Sequence, residues 1–324
     1  MRVSYAPARW LPGPHLMTIF ARLARGPAGL APRRERWELD DGDFLDVDRH
    51  GEPGAPAVVI LHGLEGSSRA PYVLRLVAAC AARGLSSVAV NFRGCSGERN
   101  RLPRLYHSGE TTDLDRVVAR LVAERPGRPL GVAGFSLGGN VVAKWLGEGG
   151  ERLPPEVRAG AVISVPFDLA RCADAIDGSG GMARLYRARF LRTLRAKALD
   201  KTRRFEGLPF TAAEVRACDT FARFDDAVTS RLHGFAGARD YWTRCSSGRA
   251  LPGLARPLLA IAAEDDPIVP RESLPLEVAR HTPALRLETY PAGGHVGFVS
   301  GRPWRFEFFA EARAATFLDE ALRR

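Results

Sequence analysis

Gly134-Phe135-Ser136-Leu137-Gly138 is the most informative segment of this chain. It fits G-x-S-x-G, a sharp turn that lifts a serine off the end of a strand and into the start of a helix. The glycines have a steric purpose. The serine takes a strained backbone conformation, and the neighbouring chain comes so close that a side chain two residues away on either side would clash. The pentapeptide alone is weak evidence in a glycine-rich chain, so its flanks matter. Arg128-Pro129-Leu130-Gly131-Val132-Ala133 reads as a short buried strand, and Gly139-Asn140-Val141-Val142-Ala143-Lys144-Trp145-Leu146 reads as a helix closed by Gly147. Strand, turn and helix are the required setting. The bland alternative is an ordinary glycine-rich turn between a strand and a helix.

A serine nucleophile needs an imidazole to take its proton, and the imidazole needs a carboxylate to fix its tautomer. Where this turn occurs, the chain order is Ser, then acid, then His. His15, His50, His62 and His107 precede Ser136, and His233 precedes the best acid. His281 ends a helical stretch expected over 272–280 and suits the dipole of that helix end. His295 lies in the loop Pro291-Ala292-Gly293-Gly294-His295-Val296, directly after a strand-like run, and is the expected base.

The acid comes from Leu258-Leu259-Ala260-Ile261-Ala262-Ala263-Glu264-Asp265-Asp266-Pro267-Ile268-Val269-Pro270, an apolar strand ending in carboxylates. Asp266-Pro267-Ile268-Val269-Pro270 resembles the D-x-[IV]-V-P pattern common after this strand in α/β-hydrolases, which puts the acid at Asp266, with Asp265 as the alternative. Ala57-Val58-Val59-Ile60-Leu61-His62-Gly63-Leu64 is a buried strand running into a His-Gly turn. The backbone N–H groups of Leu64 and Leu137 are the expected oxyanion donors. His62 is read as bracing the turn, and Ser67 and Ser68 as capping the next helix.

These motifs resemble the YheT-like α/β-hydrolases, which are related to the ABHD1/ABHD3 group of eukaryotic esterases and lipases (the AB hydrolase 4 family). The carriers are Pro14-His15-Leu16, His62-Gly63-Leu64-Glu65-Gly66-Ser67-Ser68, Asn91-Phe92-Arg93-Gly94-Cys95-Ser96-Gly97-Glu98, Tyr106-His107-Ser108-Gly109-Glu110-Thr111, the serine turn through Asn140, and Gly293-Gly294-His295. The family's early motif usually reads Asn-Pro-His-Leu-Gln-Thr; here it is Gly13-Pro14-His15-Leu16-Met17-Thr18. The resemblance runs over nearly the whole chain. It implies a carboxylic-ester hydrolase with no metal and no cofactor, and it leaves the substrate open.

The 324 residues suffice for one elaborated α/β domain. Near-continuous apolar strands are expected over 36–40, 45–49, 57–61, 87–91, 130–133, 159–164, 258–262 and 285–290, with helices over 72–82, 112–124, 137–146 and 304–322. That alternation predicts an α/β-hydrolase fold, a mostly parallel central sheet covered by helices on both faces. A 1–36 arm precedes a core of 37–165 and 251–324. The core is interrupted by a helical cap over 166–250, longer than any simple connection needs. Leu185, Tyr186, Leu191, Leu194 and Leu199 form its apolar stripe. Phe205, Phe210, Phe221, Phe224, Phe235, Tyr241 and Trp242 are candidate walls of an acyl pocket.

The net charge of +10 is nearly all arginine, with Lys144, Lys197 and Lys201 the only lysines. Residues 184–204 hold nine basic side chains against Asp200 alone, and the arginines are expected to face outward. Weak contact with an anionic membrane surface is one reading; a solvated helix face is the other. Nothing resembles a nucleic-acid module. Cys80, Cys95, Cys172, Cys218 and Cys245 show no metal or disulfide spacing, and Cys95 is expected near the site. With no signal-peptide or membrane-spanning pattern, the cytoplasm is the expected location. A small-molecule or lipid-like ester is the expected substrate. An acyltransferase using the same acyl-enzyme, and a non-catalytic basic binding protein on the same scaffold, are the alternatives.

Overall fold

The computed structural model describes residues 5–24, 26, 27, 29–178 and 180–324. Residues 1–4, Arg25 and Ala28 of the expected arm lie outside that description. The strands are β1 (Arg33–Glu38), β2 (Phe44–His50), β3 (Ala57–Leu61), β4 (Ser86–Val90), β5 (Leu130–Phe135), β6 (Val157–Ile163), β7 (Leu258–Ala263) and β8 (Leu285–Tyr290), with a hairpin of β9 (Val299–Arg302) and β10 (Arg305–Phe308). The first eight form one sheet in the order β1-β2-β4-β3-β5-β6-β7-β8. Only the β1–β2 and β2–β4 pairs in it are antiparallel. The expected mostly parallel sheet is therefore present.

Burial follows from the two-residue period of a strand. β3 is buried along its whole length, and its residues divide between two cores. Val59 and Leu61 pack on one face with residues of α3 (Thr112–Glu124) and α4 (Leu137–Gly149). Val58 and Ile60 pack on the other with α2 (Pro71–Ala81) and α12 (Phe309–Leu322). A strand covered on both faces has no polar side, which is why these runs read as uninterrupted apolar stretches.

The chain leaves the sheet after β6 and returns at β7 through a helical segment. It contains α5 (Leu169–Gly178), α6 (Met182–Arg204), α7 (Ala212–Ala217), α8 (Phe221–Phe224), a π turn (Asp225–Ser230), α9 (Arg231–His233) and α10 (Ala238–Cys245). No strand interrupts it among the described residues. It has small cores of its own, one of Leu191, Ala198, Phe210, Val215, Phe224 and Val228, another of Leu169, Tyr241 and Trp242. The stripe expected along α6 is only partly buried: Leu191 lies inside, whereas Leu185 is 61% exposed.

The arginines of α6 do not all face outward. Arg187 donates to the Asp177 carbonyl at 2.5 Å, and Arg195 to the Cys218 carbonyl at 3.1 Å. These carbonyls sit at or just past helix C-termini, where the backbone lacks its own partners. Lys197 and Lys201 turn inward to the core: Lys201 is buried and donates to the Asn100 Oδ1 at 2.7 Å.

Other differences from expectation have local causes. The helix expected over 304–322 begins only at Phe309, because Arg305–Phe308 pair instead as a strand of a hairpin turned at Pro303-Trp304, and Phe306 packs on Trp10 and Phe20. The helix expected over 272–280 is broken at Pro275 into a 3-10 turn, Arg271–Ser273, and α11 (Leu276–His281). Gly147 does not close α4, which runs to Gly149. Gly147 is needed inside because a Cβ there would stand 2.2 Å from the Ala250 carbonyl oxygen of the returning chain. Ser67 and Ser68 do not cap α2, whose N-cap is Ala70. Ser68 instead donates to Asp48 at 2.7 Å. Ahead of the sheet, the expected 1–36 arm contains a helix, α1 (Pro14–Leu23).

Candidate active site

Ser136 stands between β5 and α4 with φ 51° and ψ −120°, outside the usual regions for a residue with a side chain. The glycines around it are there for space. A Cβ on Gly134 would stand 2.4 Å from the Gly138 carbonyl oxygen, and one on Gly138 would stand 2.4 Å from that of His62. Both neighbours are backbone and cannot turn aside.

Loops at the C-terminal ends of β5, β7 and β8 bring three predicted residues together. Ser136 Oγ lies 3.0 Å from His295 Nε2. His295 Nδ1 lies 2.8 Å from Asp266 Oδ2 and 3.1 Å from Oδ1. An ionised carboxylate only accepts, so the proton sits on Nδ1 and Nε2 is left to accept the serine O–H. The Asp266 side chain is 1% exposed and that of His295 is 10%. Asp266 Oδ1 also accepts the Ile268 and Val269 N–H groups at 2.8 and 3.0 Å.

Asp265, the alternative acid, does not reach the imidazole. Its Oδ1 accepts the Gly293 and Gly294 N–H groups, each at 2.9 Å. It therefore holds the loop that carries His295. Two further residues hold that loop and were not singled out from the sequence. Ser164, at φ 53°, accepts the Val296 N–H at 2.9 Å, and Thr18 of α1 accepts the His295 N–H at 2.9 Å while donating to the Pro14 carbonyl at 2.7 Å. The Pro14-His15-Leu16-Met17-Thr18 motif was the available signal for Thr18.

Leu64 and Leu137 flank the serine in one cavity. The turn around Leu64 has its other amides occupied: Gly63 N–H donates to Tyr72 Oη at 3.0 Å, Glu65 N–H to Tyr106 Oη at 2.8 Å, and Gly66 N–H to the Gly63 carbonyl at 3.0 Å. His62 braces this turn. Phe92 N–H donates to its Nε2 at 3.2 Å, so Nδ1 donates to the Gly63 carbonyl at 2.7 Å. Burial pushes this imidazole down to about 4, so it stays neutral.

The inserted helices fasten to the same region. Lys197 donates to Glu65 Oε1 at 2.8 Å and reaches Cys95 Sγ at 3.0 Å. Burial raises the Cys95 thiol, which disfavours its reactive thiolate. Buried Asn140 donates to the Ser108 and Cys245 carbonyls, both at 2.8 Å, and accepts the Ser247 N–H at 2.9 Å. Its place in Gly138-Gly139-Asn140 was legible; its role as a clamp was not.

Two cavities meet at Ser136. One, of about 120 Å³, is mostly apolar and runs under the inserted helices. Of the aromatic candidates, Phe221, Phe224, Tyr241 and Trp242 line it; Phe205, Phe210 and Phe235 do not, and Phe190 joins them unforeseen. The other, of about 400 Å³, opens between α1 and α6 and includes His295. Among the described residues no cluster of His, Cys, Asp and Glu is placed to hold a metal ion, and no helix is long and apolar enough to cross a membrane.

The fold defines an α/β-hydrolase. Residues 56–301 match the family model for the alpha/beta hydrolase fold, and the chain belongs to that family. Within it the chain falls in the YheT-like group. YheT of Escherichia coli, which carries an esterase name, is 37% identical over 319 residues, 97% of this chain and 92% of that protein. A monoacylglycerol lipase of Saccharomyces cerevisiae is 30% identical, covering 81% of this chain and 60% of the lipase. Phospholipase ABHD3 of Mus musculus is 30% identical, covering 76% and 59% respectively. The chain thus spans about three fifths of those eukaryotic proteins. Among solved structures, an esterase of Pyrococcus furiosus superposes with a TM-score of 0.59 at 19% identity, over 98% of this chain and 97% of that one.

Proposed function

We propose that this protein is a serine carboxylic-ester hydrolase that works through an acyl-enzyme on an apolar acyl ester. The observation that carries the reading is the continuous hydrogen-bonded series from Ser136 through His295 to buried Asp266. The esterase and lipase names of its relatives agree with it.

Ser136 Oγ attacks the ester carbonyl as His295 Nε2 takes its proton. Asp266 holds the imidazole in the right tautomer and stabilises the imidazolium that forms. Negative charge develops on the carbonyl oxygen, where the Leu64 and Leu137 amides receive it. The acyl–oxygen bond breaks, and His295 returns the proton to the departing alcohol. Water, deprotonated by the same imidazole, then releases the acid. The helices between β6 and β7 act as a cap, and Phe221, Phe224 and Trp242 form part of the acyl wall.

The test is active-site labelling with a fluorophosphonate, followed by turnover of a chain-length series of nitrophenyl esters. Labelling confined to Ser136 and hydrolysis lost in Ser136→Ala are expected. An unlabelled wild-type protein that hydrolyses no ester would overturn the reading in favour of a binding protein. Transfer to added alcohol in preference to water would make it an acyltransferase.

A further inference from the structure

Both cavities at Ser136 are mostly apolar, and His295 tells which holds which half of the ester. The base that took the serine proton must deliver it to the leaving alcohol, so the alcohol lies on the histidine's side. His295 lines the larger cavity and not the smaller one. The smaller cavity, under the inserted helices and lined by Phe221, Phe224 and Trp242, suits the acyl chain.

The larger cavity contains Arg22, from the last turn of α1, and Arg189, from α6. No Asp or Glu lines it. Neither arginine has an ion-pair partner among the described residues, and the residues outside that description include no carboxylate. This sets them apart from Arg187 and Arg195, which are committed to backbone carbonyls, and from Arg204, which pairs with Asp200. Partial burial, and then the charge of Arg189, hold the Arg22 guanidinium below its ordinary value. Both side chains are exposed at this cavity, where an anion reaching them would gain charge-assisted hydrogen bonds.

We propose that Arg22 and Arg189 form a subsite for an anionic group, a phosphate or a carboxylate, carried on the alcohol part of the ester. The assignment of sides rests on the serine-hydrolase reading above; the anion site itself does not. The substrate class is then an ester of an apolar acid with an anionic alcohol. The guanidinium fork suits the two oxygens of either group.

The experiment compares the butyrate esters of glycerol and of glycerol phosphate, both soluble. The wild-type kcat/KM should favour the anionic ester by about tenfold or more at low salt, with the preference shrinking as salt rises through about 0.15 M. The double variant Arg22→Gln, Arg189→Gln should bring the ratio of the two close to one. Arg22→Lys and Arg189→Lys should keep part of it, because charge survives but the planar fork does not. A long-chain ester with the same headgroup, presented in vesicles with and without anionic lipid, separates sources. If preference appears only with anionic vesicles and never with the soluble pair, attraction to a lipid surface explains it and the subsite is overturned. Inorganic phosphate gives a readout independent of turnover. It should raise the Tm of the Ser136→Ala protein and not that of the same protein carrying the double glutamine change. A wild type that hydrolyses the neutral ester, shows no anionic preference and is not stabilised by phosphate overturns the subsite and leaves the hydrolase standing. Arginine-dependent phosphate stabilisation in a protein that hydrolyses nothing does the reverse.

Discussion

The Thr18 hydroxyl accepts the backbone N–H of His295 at 2.9 Å across 277 residues of sequence. The helix ahead of the sheet thereby sets the position of the imidazole. Gly294 belongs to the same contact, since a Cβ there would stand 2.6 Å from the Pro14 carbonyl oxygen. Thr18→Val keeps the shape and removes the acceptor. It should lower kcat by roughly 10- to 100-fold with little change in KM, in line with the cost of misplacing a catalytic group. Thr18→Ser should restore most of the rate. Equal losses in both variants would assign Thr18 to packing alone.

Ser136→Ala should lower ester turnover by about four to six orders of magnitude without changing the fold. Steady-state kinetics beside a circular dichroism spectrum check it. Retention of more than a few per cent of the rate in contaminant-free protein would remove Ser136 from the chemistry.

The neighbouring aspartates should separate by substitution. Asp266→Asn should cost on the order of 10⁴ in kcat, because the histidine loses the partner that selects its tautomer. Asp265 accepts two loop amides through Oδ1 alone. Asp265→Asn keeps a carbonyl oxygen there and should cost about tenfold or less, whereas Asp265→Ala leaves both amides unpaired and should cost more. If Asp265→Asn is the crippling change, the acid has been assigned one residue too late.

Acid should destabilise the protein through its buried histidines. Burial lowers His62 and His107 to about 4 and His233 to about 3, from the ordinary 6.5. The unfolded chain then takes up these protons first, so stability is complete above pH 6.5 and is lost as pH falls toward about 4. Asp225, raised by burial to about 6, works the other way over part of this range, but it is one group against several. The Tm should fall by several degrees between pH 7 and 5. A flat profile would mean that these rings are not buried as described.

Gly138→Ala should destabilise the protein, because its Cβ meets the His62 carbonyl oxygen at 2.4 Å and that neighbour is backbone. A cost of about 1–3 kcal/mol is expected for such overpacking, read as a lower Tm. Gly127→Ala has open space around it. Its φ of 78° gives it backbone strain alone, so it should cost less. An undisturbed Gly138→Ala protein would show that the turn can open.

The serine turn, the parallel sheet and the helical segment between β6 and β7 were legible in the chain because each is written locally. Apolar runs bounded by Gly and Pro mark strands. A G-x-S-x-G between strand and helix marks a nucleophile. The order Ser, acid, His leaves few candidates for the partners of Ser136. Local patterns also misled where two periods compete. Phe306 and Phe308 could continue a helix, and became part of a strand where Trp10 and Phe20 pack against Phe306. Contacts between distant segments decided the rest. That Asp265 holds a loop while Asp266 meets the imidazole depends on which way two adjacent side chains point. That Thr18 supports His295, that Lys197 reaches Glu65 and that Arg22 and Arg189 line one cavity depends on how helices far apart in sequence pack over one sheet. Hydrophobic periodicity determines which elements form, and it carries no record of which polar atoms meet once they have docked.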